Sequence, residues 1–467
     1  MIPDDACDVL SSSCEEVAKV LESKQVSEWE VFATQAWGMQ VEIENDCLNL
    51  AGGGGEGGIG IRVVDSGAFG FSYLADASKA NQAVDDAIKV ARMSPRVEGF
   101  SLPTDSGSSR VDGLFDAGVC NLTPDDLMSD CDLIISQAKD IDQRISLLSG
   151  GISNSATASA ILTSNGIEDS GKTSCHSVSL QSAIDEDDQL TSSWEGKSSR
   201  SLIKDFDSLI EKAVHWTTIT RNPLPDGQDA VDSPVLMTGD GFSPLFSMVV
   251  PNALTGERLA RSESLWSGKH GKLVMADHLS VIDDRCMEGG MSSSGRDGEG
   301  LATTRRELVS GGKMIDSIWS TRDAAKQVAD GNVDEAVSTA SASRGSHHSP
   351  PSVGCGDLSL VSSSRTHSRD ELIEIMEEGY IVHSVMGAHT ANPTSGDFSV
   401  TTSSILRVEG GEVIGSVRQA GLSGNMASAL AGKVILGNDV HVKGSYTSGT
   451  MHLTDAVLFE GLRVNPL

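Results

Sequence analysis

Apolar positions in the first half of the chain switch between a spacing of two and a helical spacing of three to four, the marks of strand and helix. Leu10 to Leu21 carries the helical spacing, predicting a short amphipathic helix. Within Glu30 to Leu50, Trp37, Met39, Val41 and Ile43 alternate, predicting a strand pair about a turn near Asn45-Asp46. Ile59 to Val64 and Gly70 to Leu74 read as two more strands about a turn at Asp65-Ser66-Gly67. Asp76 then caps a helix whose Ala80, Val84, Ile88 and Ala91 share one face, and Ser94-Pro95 ends it. Helices are expected over Asp125 to Ala138 and Leu202 to Val214, with strands over Ile145 to Leu162 and Ser174 to Ser193.

Arg221 to Asp232, rich in Pro, Gly and Asp, reads as a linker. It divides the chain into an N-terminal α+β domain (1–222) and a β-rich C-terminal domain (230–467), so the fold class is α+β with two domains. Beyond the linker, helical spacing is confined to Leu245 to Arg261, Arg322 to Gln327 and Asp370 to Glu378, the last closed by Gly379. Short strands fill the rest. Ser403 to Val408 and Glu412 to Val417 are joined by Gly410-Gly411, a two-residue hairpin turn in which glycine accepts positive φ. Val337 to Gly356, full of Ser, Gly, Pro and His, reads as a long exposed loop.

Charge narrows the partners. The 467 residues hold 66 acidic against 35 basic side chains, a net charge of −31. Binding nucleic acid takes a basic stripe that displaces counterions from phosphates, and no such run occurs; an anionic membrane surface is disfavoured for the same reason. Aromatic residues make up 4%, too few for base-stacking platforms. No apolar run approaches the roughly 18 residues that span a bilayer, and the start, Met1 to Asp5, lacks the basic head and apolar stretch of a signal peptide. A cytoplasmic protein is expected. The eight cysteines are scattered without CxxC spacing and are expected as buried or free thiols rather than disulfides or a zinc finger.

No complete catalytic motif is present: there is neither a Gly-x-Ser-x-Gly elbow nor an H-E-x-x-H helix. The run Gly52 to Gly60 invites a phosphate-loop reading, but it lacks a Gly-Lys-Ser/Thr ending and leads into a strand, so a flexible connection is expected. His347-His348 is expected to point apart in a solvated loop. On a strand His383 and His389 would share a face about 20 Å apart, too far for one zinc unless the chain turns at Gly387. Asp283-Asp284 with Glu288 is the kind of cluster that an acidic chain holds by chance.

The second half resembles a known family. Asp297-Gly298-Glu299-Gly300-Leu301-Ala302-Thr303-Thr304-Arg305-Arg306, then Gly311-Gly312-Lys313-Met314 and Trp319 to Ala325, is similar to the central signature of the TldD/PmbA proteins. Asn392-Pro393-Thr394-Ser395-Gly396-Asp397-Phe398-Ser399, Val408 to Val413, Ala420 to Met426 and Gly437-Asn438-Asp439 follow in the family's order; Gly58 to Val64 and Gly70-Phe71-Ser72 agree more loosely.

This resemblance implies a cytosolic metallopeptidase of two homologous chains, linked to small-peptide processing and carrying the label modulator of DNA gyrase. In the TldD branch, zinc sits on H-E-x-x-x-H and a distant Cys, with the Glu as general base; the PmbA/TldE branch lacks these ligands. Anchored on Leu254-Thr255-Gly256-Glu257, the two His positions fall at Ser247 and Asn252, the Glu at Met248 and the Cys at Thr402. Ser, Asn and Thr are poor neutral ligands for zinc, Met248 takes no proton from water, and Met237 to Leu265 contains no His or Cys. The resemblance therefore implies a non-catalytic subunit with no metal or catalytic residue of its own, paired with a TldD-like homologous subunit that carries the zinc and acting on small or unfolded peptides. Gly396, Asp397, Phe398, Arg305 and Arg306 are candidate pocket or peptide contacts. Two alternatives stand beside this reading: a self-sufficient peptidase with a metal site relocated to His383, His389 or His347-His348, and a homodimeric peptide-binding scaffold. Were the acid surplus to line a peptide chamber, basic or neutral peptides would enter more readily than acidic ones.

Overall fold

A computed structural model describes residues 2–187, 189–224, 231–445 and 447–466. The first half builds one antiparallel sheet from β1 (Glu28–Glu44), β2 (Cys47–Asp65), β3 (Ala68–Leu74), β4 (Ser146–Thr163), β5 (Glu168–Glu186) and β6 (Gln189–Ser199), in the order β3-β2-β1-β4-β5-β6. Alternation decides which face is covered. Val31, Ala33, Val41 and Ile43 of β1 and Ile152, Ala156, Ala158 and Ala160 of β4 point one way, into two apolar clusters capped by helices α1 (Ala6–Ser23), α2 (Ala80–Met93), α4 (Pro124–Ile141) and α5 (Asp207–Ile219), with the short α3 (Ala117–Asn121) between α2 and α4. α1 contributes Leu10, Cys14, Val17, Ala18 and Leu21 to this core, one face of the expected helix. α4 starts with a capping box at Thr123-Asp126 and Pro124 in its first turn. The turn between β1 and β2 falls at Asn45 (φ 50°) and Asp46 (φ 61°), both left-handed, as a two-residue hairpin requires.

The second half builds an eight-stranded sheet, in which β7 (Val231–Thr238) lies between the strands Gly379–Val382 and Ala456–Pro466, and a six-stranded sheet centred on Leu279–Asp284 and Asp357–Ser362. Both sheets contribute to a single apolar core containing helix α6 (Gly239–Ala253). At the expected hairpin, Gly410 and Gly411 adopt φ of 59° and 77° between Ile405–Glu409 and Glu412–Val417. No helix of the described residues is long and apolar enough to cross a membrane. All eight cysteines are free thiols.

Four expectations need correction. Gly52 to Gly60 is no flexible connection but strand, paired residue for residue with Gln40 to Phe32. Close approach explains the glycines: a Cβ on Gly53 would meet Gly38 O at 2.9 Å, and one on Gly60 would meet His347 O at 2.8 Å. The single strand expected over Ser174 to Ser193 belongs to two strands turned at Asp187 (φ 56°). The helix expected over Leu245 to Arg261 starts at Gly239 and ends at Ala253, with a separate turn of helix at Gly256–Ala260. α6 is apolar almost all round and buried, so its amphipathic signal is weak. Val337 to Gly356 is not exposed throughout; Thr339, Ser341, His347 and Cys355 are buried. Of the expected linker, 225–230 lies outside the described residues, and Arg221 at its start is buried, with Glu186 3.6 Å away.

Candidate functional site

Helix α6 follows β7 directly and carries two prolines, Pro244 and Pro251. Proline has no N–H, so the carbonyl four residues before Pro251, that of Ser247, loses its helical donor. Thr447 supplies one: its hydroxyl donates to Ser247 O at 3.1 Å. At the four positions expected from the sequence to correspond to a zinc site, the three polar side chains bond to backbone groups and the fourth packs on the core. Ser247 Oγ donates to Pro244 O (3.0 Å), Met248 packs against the core, Asn252 Nδ2 donates to Met248 O (2.8 Å), and buried Thr402 accepts from Ser404 N (3.2 Å).

The other candidates lie on different sheets. Gly396 (φ 83°) makes the turn into strand Asp397–Thr402 of the eight-stranded sheet, where Phe398 joins the core. Asp397 is exposed and accepts from Asn425 Nδ2 (2.8 Å) and Ser395 Oγ (2.7 Å), which hold its carboxyl below the usual range. Arg305 and Arg306 begin strand Arg305–Ser310 of the six-stranded sheet. Arg305 is 57% exposed, with Asp284 3.8 Å away; Arg306 pairs with Asp316 at 2.7 Å and donates to Thr339 O.

The candidate histidines sit on separate elements: His383 follows strand Gly379–Val382, His389 lies in the turn Ala388–Thr390, and His347-His348 lies in the 337–356 segment. His389 is exposed, in a short turn that follows Gly387 (φ 89°). His347 and His348 do not point apart: their rings approach to 3.8 Å, His347 buried over Gly58 and His348 hydrogen-bonded to Glu56 at 2.8 Å.

His383 enters a cluster that no sequence spacing announced. Its ring stacks on Trp216 (centroids 4.0 Å, planes 5° apart), one nitrogen lies 2.7 Å from Glu195 Oε1 and the other 3.0 Å from Thr238 Oγ1. Glu195 comes from β6, Asp240 from the first turn of α6 and His383 from the end of Gly379–Val382, so long-range topology alone joins them. One ligand atom from each of Glu195, Asp240 and His383 lies within 4.8 Å of the others, close enough to share an ion. The cluster's cation is Lys212, whose Nζ lies 2.7 Å from Asp240 and 3.2 Å from Glu195, with Lys443 on the other oxygen of Asp240. Burial raises the Asp240 pKa, but the charges of Lys212, His441 and Lys443 outweigh it and hold the carboxyl far below the usual range. A metal ion would have to displace the ammonium group.

A second buried network ties the family signature to the first sheet. Arg62 of β2 bridges Glu30 (2.5 Å) and Glu299 (3.2 Å), Arg344 takes the other Glu30 oxygen at 2.5 Å, and Thr321 N and Oγ1 donate to Glu299 at 2.8 and 2.7 Å. Asp297 accepts N–H groups of Glu299, Leu301 and Ala342. Burial, then the Glu299 charge, pushes its pKa up to about 6. Beside this network, a cleft of about 780 Å³ opens between β4 and β5 on one side and loops of the second half on the other; Arg200, Arg285, Arg296 and Arg344 line it.

Residues 231–459 match the model described as the PmbA/TldA metallopeptidase C-terminal domain, and residues 29–92 match the first domain of the same family. An uncharacterized protein of Methanocaldococcus jannaschii is 25% identical over 446 residues, covering 95% of this chain and 97% of its own. Metalloprotease PmbA of Escherichia coli O157:H7 is 24% identical over 231 residues, covering 50% of this chain and 46% of its own. The crystal structure of TldE from Thermococcus kodakarensis shares the fold, with a TM-score of 0.86 at 21% identity over 96% of this chain and 100% of that one. With two family domains matched in order on an α+β fold of this shape, the chain belongs to the PmbA/TldD family.

Proposed function

We propose that this chain is the PmbA/TldE-like, non-catalytic subunit of a two-chain cytoplasmic zinc peptidase acting on small or unfolded peptides. In this reading a TldD-like homologous subunit supplies the zinc, its ligands and the general base, and this chain, built of units at 1–222 and 230–467, supplies part of the enclosure. One observation carries it: at Ser247, Met248, Asn252 and Thr402, the positions aligned with the zinc site, no imidazole, thiolate or carboxylate is present, and the Ser, Asn and Thr polar groups are engaged with the protein's own backbone. Zinc takes nitrogen and sulfur donors, and its bound water needs a base. Zinc chemistry would thus reside on the partner, while residues of this chain bind and orient the peptide.

The test is to purify the chain alone and with a homologous chain bearing H-E-x-x-x-H, then measure zinc content and peptide cleavage for each. The complex should hold zinc and cleave, and the isolated chain should do neither. An isolated chain with one zinc and chelator-sensitive cleavage would sink the proposal and favour a site at Glu195, Asp240 and His383.

A further inference from the structure

The cleft beside β5 runs against the chain's overall charge. In a protein of net charge −31 it is lined by four arginines and Lys172. Most of these cations have carboxylate neighbours: Arg344 has Glu30, Arg285 has Asp283, and Arg296 has Asp105 and Asp169. Arg200 and Lys172 have none among the described residues. Lys172 donates to the carbonyls of Pro3 and Asp4. Arg200 donates to three carbonyls, from Nε to Gly290 O, from Nη1 to Ser174 O and from Nη2 to Met291 O. A guanidinium carries five N–H groups, so one on each Nη remains. Arg200 is partly buried; a fully buried donor lines the same cleft, for the Arg344 side chain is 3% exposed, lies over the Phe32 ring at 4.4 Å, and its Nη1 makes no hydrogen bond.

The backbone of the cleft wall is also unfinished. β5 pairs with β4 from Glu168 onward, but its pairing with β6 begins only at His176. From Asp169 to Thr173 the outer edge of β5 therefore has no strand partner among the described residues, and these five residues line the cleft. The free edge ends at Ser174, whose N–H donates to Leu114 O and whose carbonyl accepts from Arg200. An open strand edge accepts an extended peptide through main-chain hydrogen bonds, and an arginine fork with free donors accepts a carboxylate.

We propose that this cleft binds an extended peptide as an added strand along Asp169–Thr173, with a peptide carboxylate held by Arg200. The carboxylate comes either from the peptide's free C-terminus or from an acidic side chain. The site goes beyond the subunit reading, since it stands on this chain's own residues and needs no zinc-bearing partner; failure of either proposal leaves the other standing.

The experiment is fluorescence anisotropy on the full chain, using N-terminally labelled neutral hexapeptides in three forms: free C-terminal acid, C-terminal amide, and amide with one internal Glu. At least one carboxylate-bearing form should bind about tenfold or more tighter than the neutral amide, and which one binds identifies the source. Arg200→Gln should remove that preference. Because Arg200 also holds three carbonyls, Gly171→Trp gives an independent reading: a Cβ at Gly171 meets nothing within 4 Å, so the variant should fold and obstruct the cleft. Equal binding of all three forms, or full binding by folded Gly171→Trp, would overturn the proposal.

Discussion

His347 lies on Gly58 so closely that a Cβ at position 58 would fall 2.4 Å from the imidazole Nε2 and 2.7 Å from Leu74 O. The contact presses the 337–356 segment onto β2 and β3. Gly58→Ala should cost about 1–3 kcal/mol by overpacking, read as a lower urea midpoint at unchanged slope. His347→Ala should return only part of this loss, because Leu74 O stays in place. At Gly54 a Cβ meets nothing within 4 Å, so Gly54→Ala should leave stability equal or higher by up to about 1 kcal/mol. Equal losses at the two glycines would contradict the packing account.

Arg62 and Arg305 are both ion-paired arginines, and their environments predict opposite outcomes. Arg62 is buried between Glu30 and Glu299. Burial alone would raise the pKa of Glu30, but Arg344 and Arg62 more than compensate and lower it. Arg62→Met leaves two buried carboxylates short of a cation and should cost about 3–5 kcal/mol. Arg305 is mostly exposed, with Asp284 at 3.8 Å, and Arg305→Ala should cost less than about 1 kcal/mol. Chemical denaturation of the two variants side by side decides it.

Lys212 neutralises Glu195 and Asp240 where β6 and α5 meet the start of α6. Lys212→Met should cost about 3 kcal/mol at neutral pH, since the acids stay buried without it. The sign with pH follows from Asp240, whose folded pKa is lowered: its contribution is present above the unfolded carboxylate pKa of 3.8 and is lost as pH falls below it. The parent should therefore lose stability on acidification below about pH 4, and the variant should lose less. Thermal melts from pH 3 to 7 read both slopes; parallel slopes would mean that Lys212 does not hold Asp240 ionised.

The elements whose partners lie nearby were legible in the sequence. The Asn45-Asp46 and Gly410-Gly411 turns, the capped helix at Pro124 and the face of α1 are set by local spacing and turn chemistry. What was missed depends on distant partners. The glycines from 52 to 60 look like a linker until His347, nearly 300 residues away, is seen to need the space above Gly58 and Gly60. α6 blurred because burial on nearly every side erases the apolar stripe. The Glu195, Asp240 and His383 cluster draws one residue from each of three distant segments, and no spacing could announce it. A signal did exist for the Asp297 loop, in the Asp-Gly-Glu-Gly run, but its meaning came only from the contacts with Glu30, Arg62 and Ala342.

Asp297 makes the signature loop sensitive to mild acid. Its folded pKa is raised from 3.8 to about 6, so the folded state disfavours the ionised form. Well below pH 4 the carboxyl is neutral in both states and the penalty is absent; it grows between about pH 4 and 6 and then levels at about 3 kcal/mol. Asp297→Asn removes this titration. The Asn oxygen can still accept from Glu299 and Leu301, but its NH₂ faces the Ala342 N–H that Oδ2 accepts, a mismatch costing about 1–3 kcal/mol at every pH. The variant should thus be clearly less stable than the parent at pH 4, and the gap should shrink or reverse by pH 7. Other carboxylates titrate alike in both proteins and cancel in the difference. A gap in urea-derived stability that stays constant from pH 4 to 7 would show that the Asp297 pKa is not raised, the three N–H donors offsetting its burial.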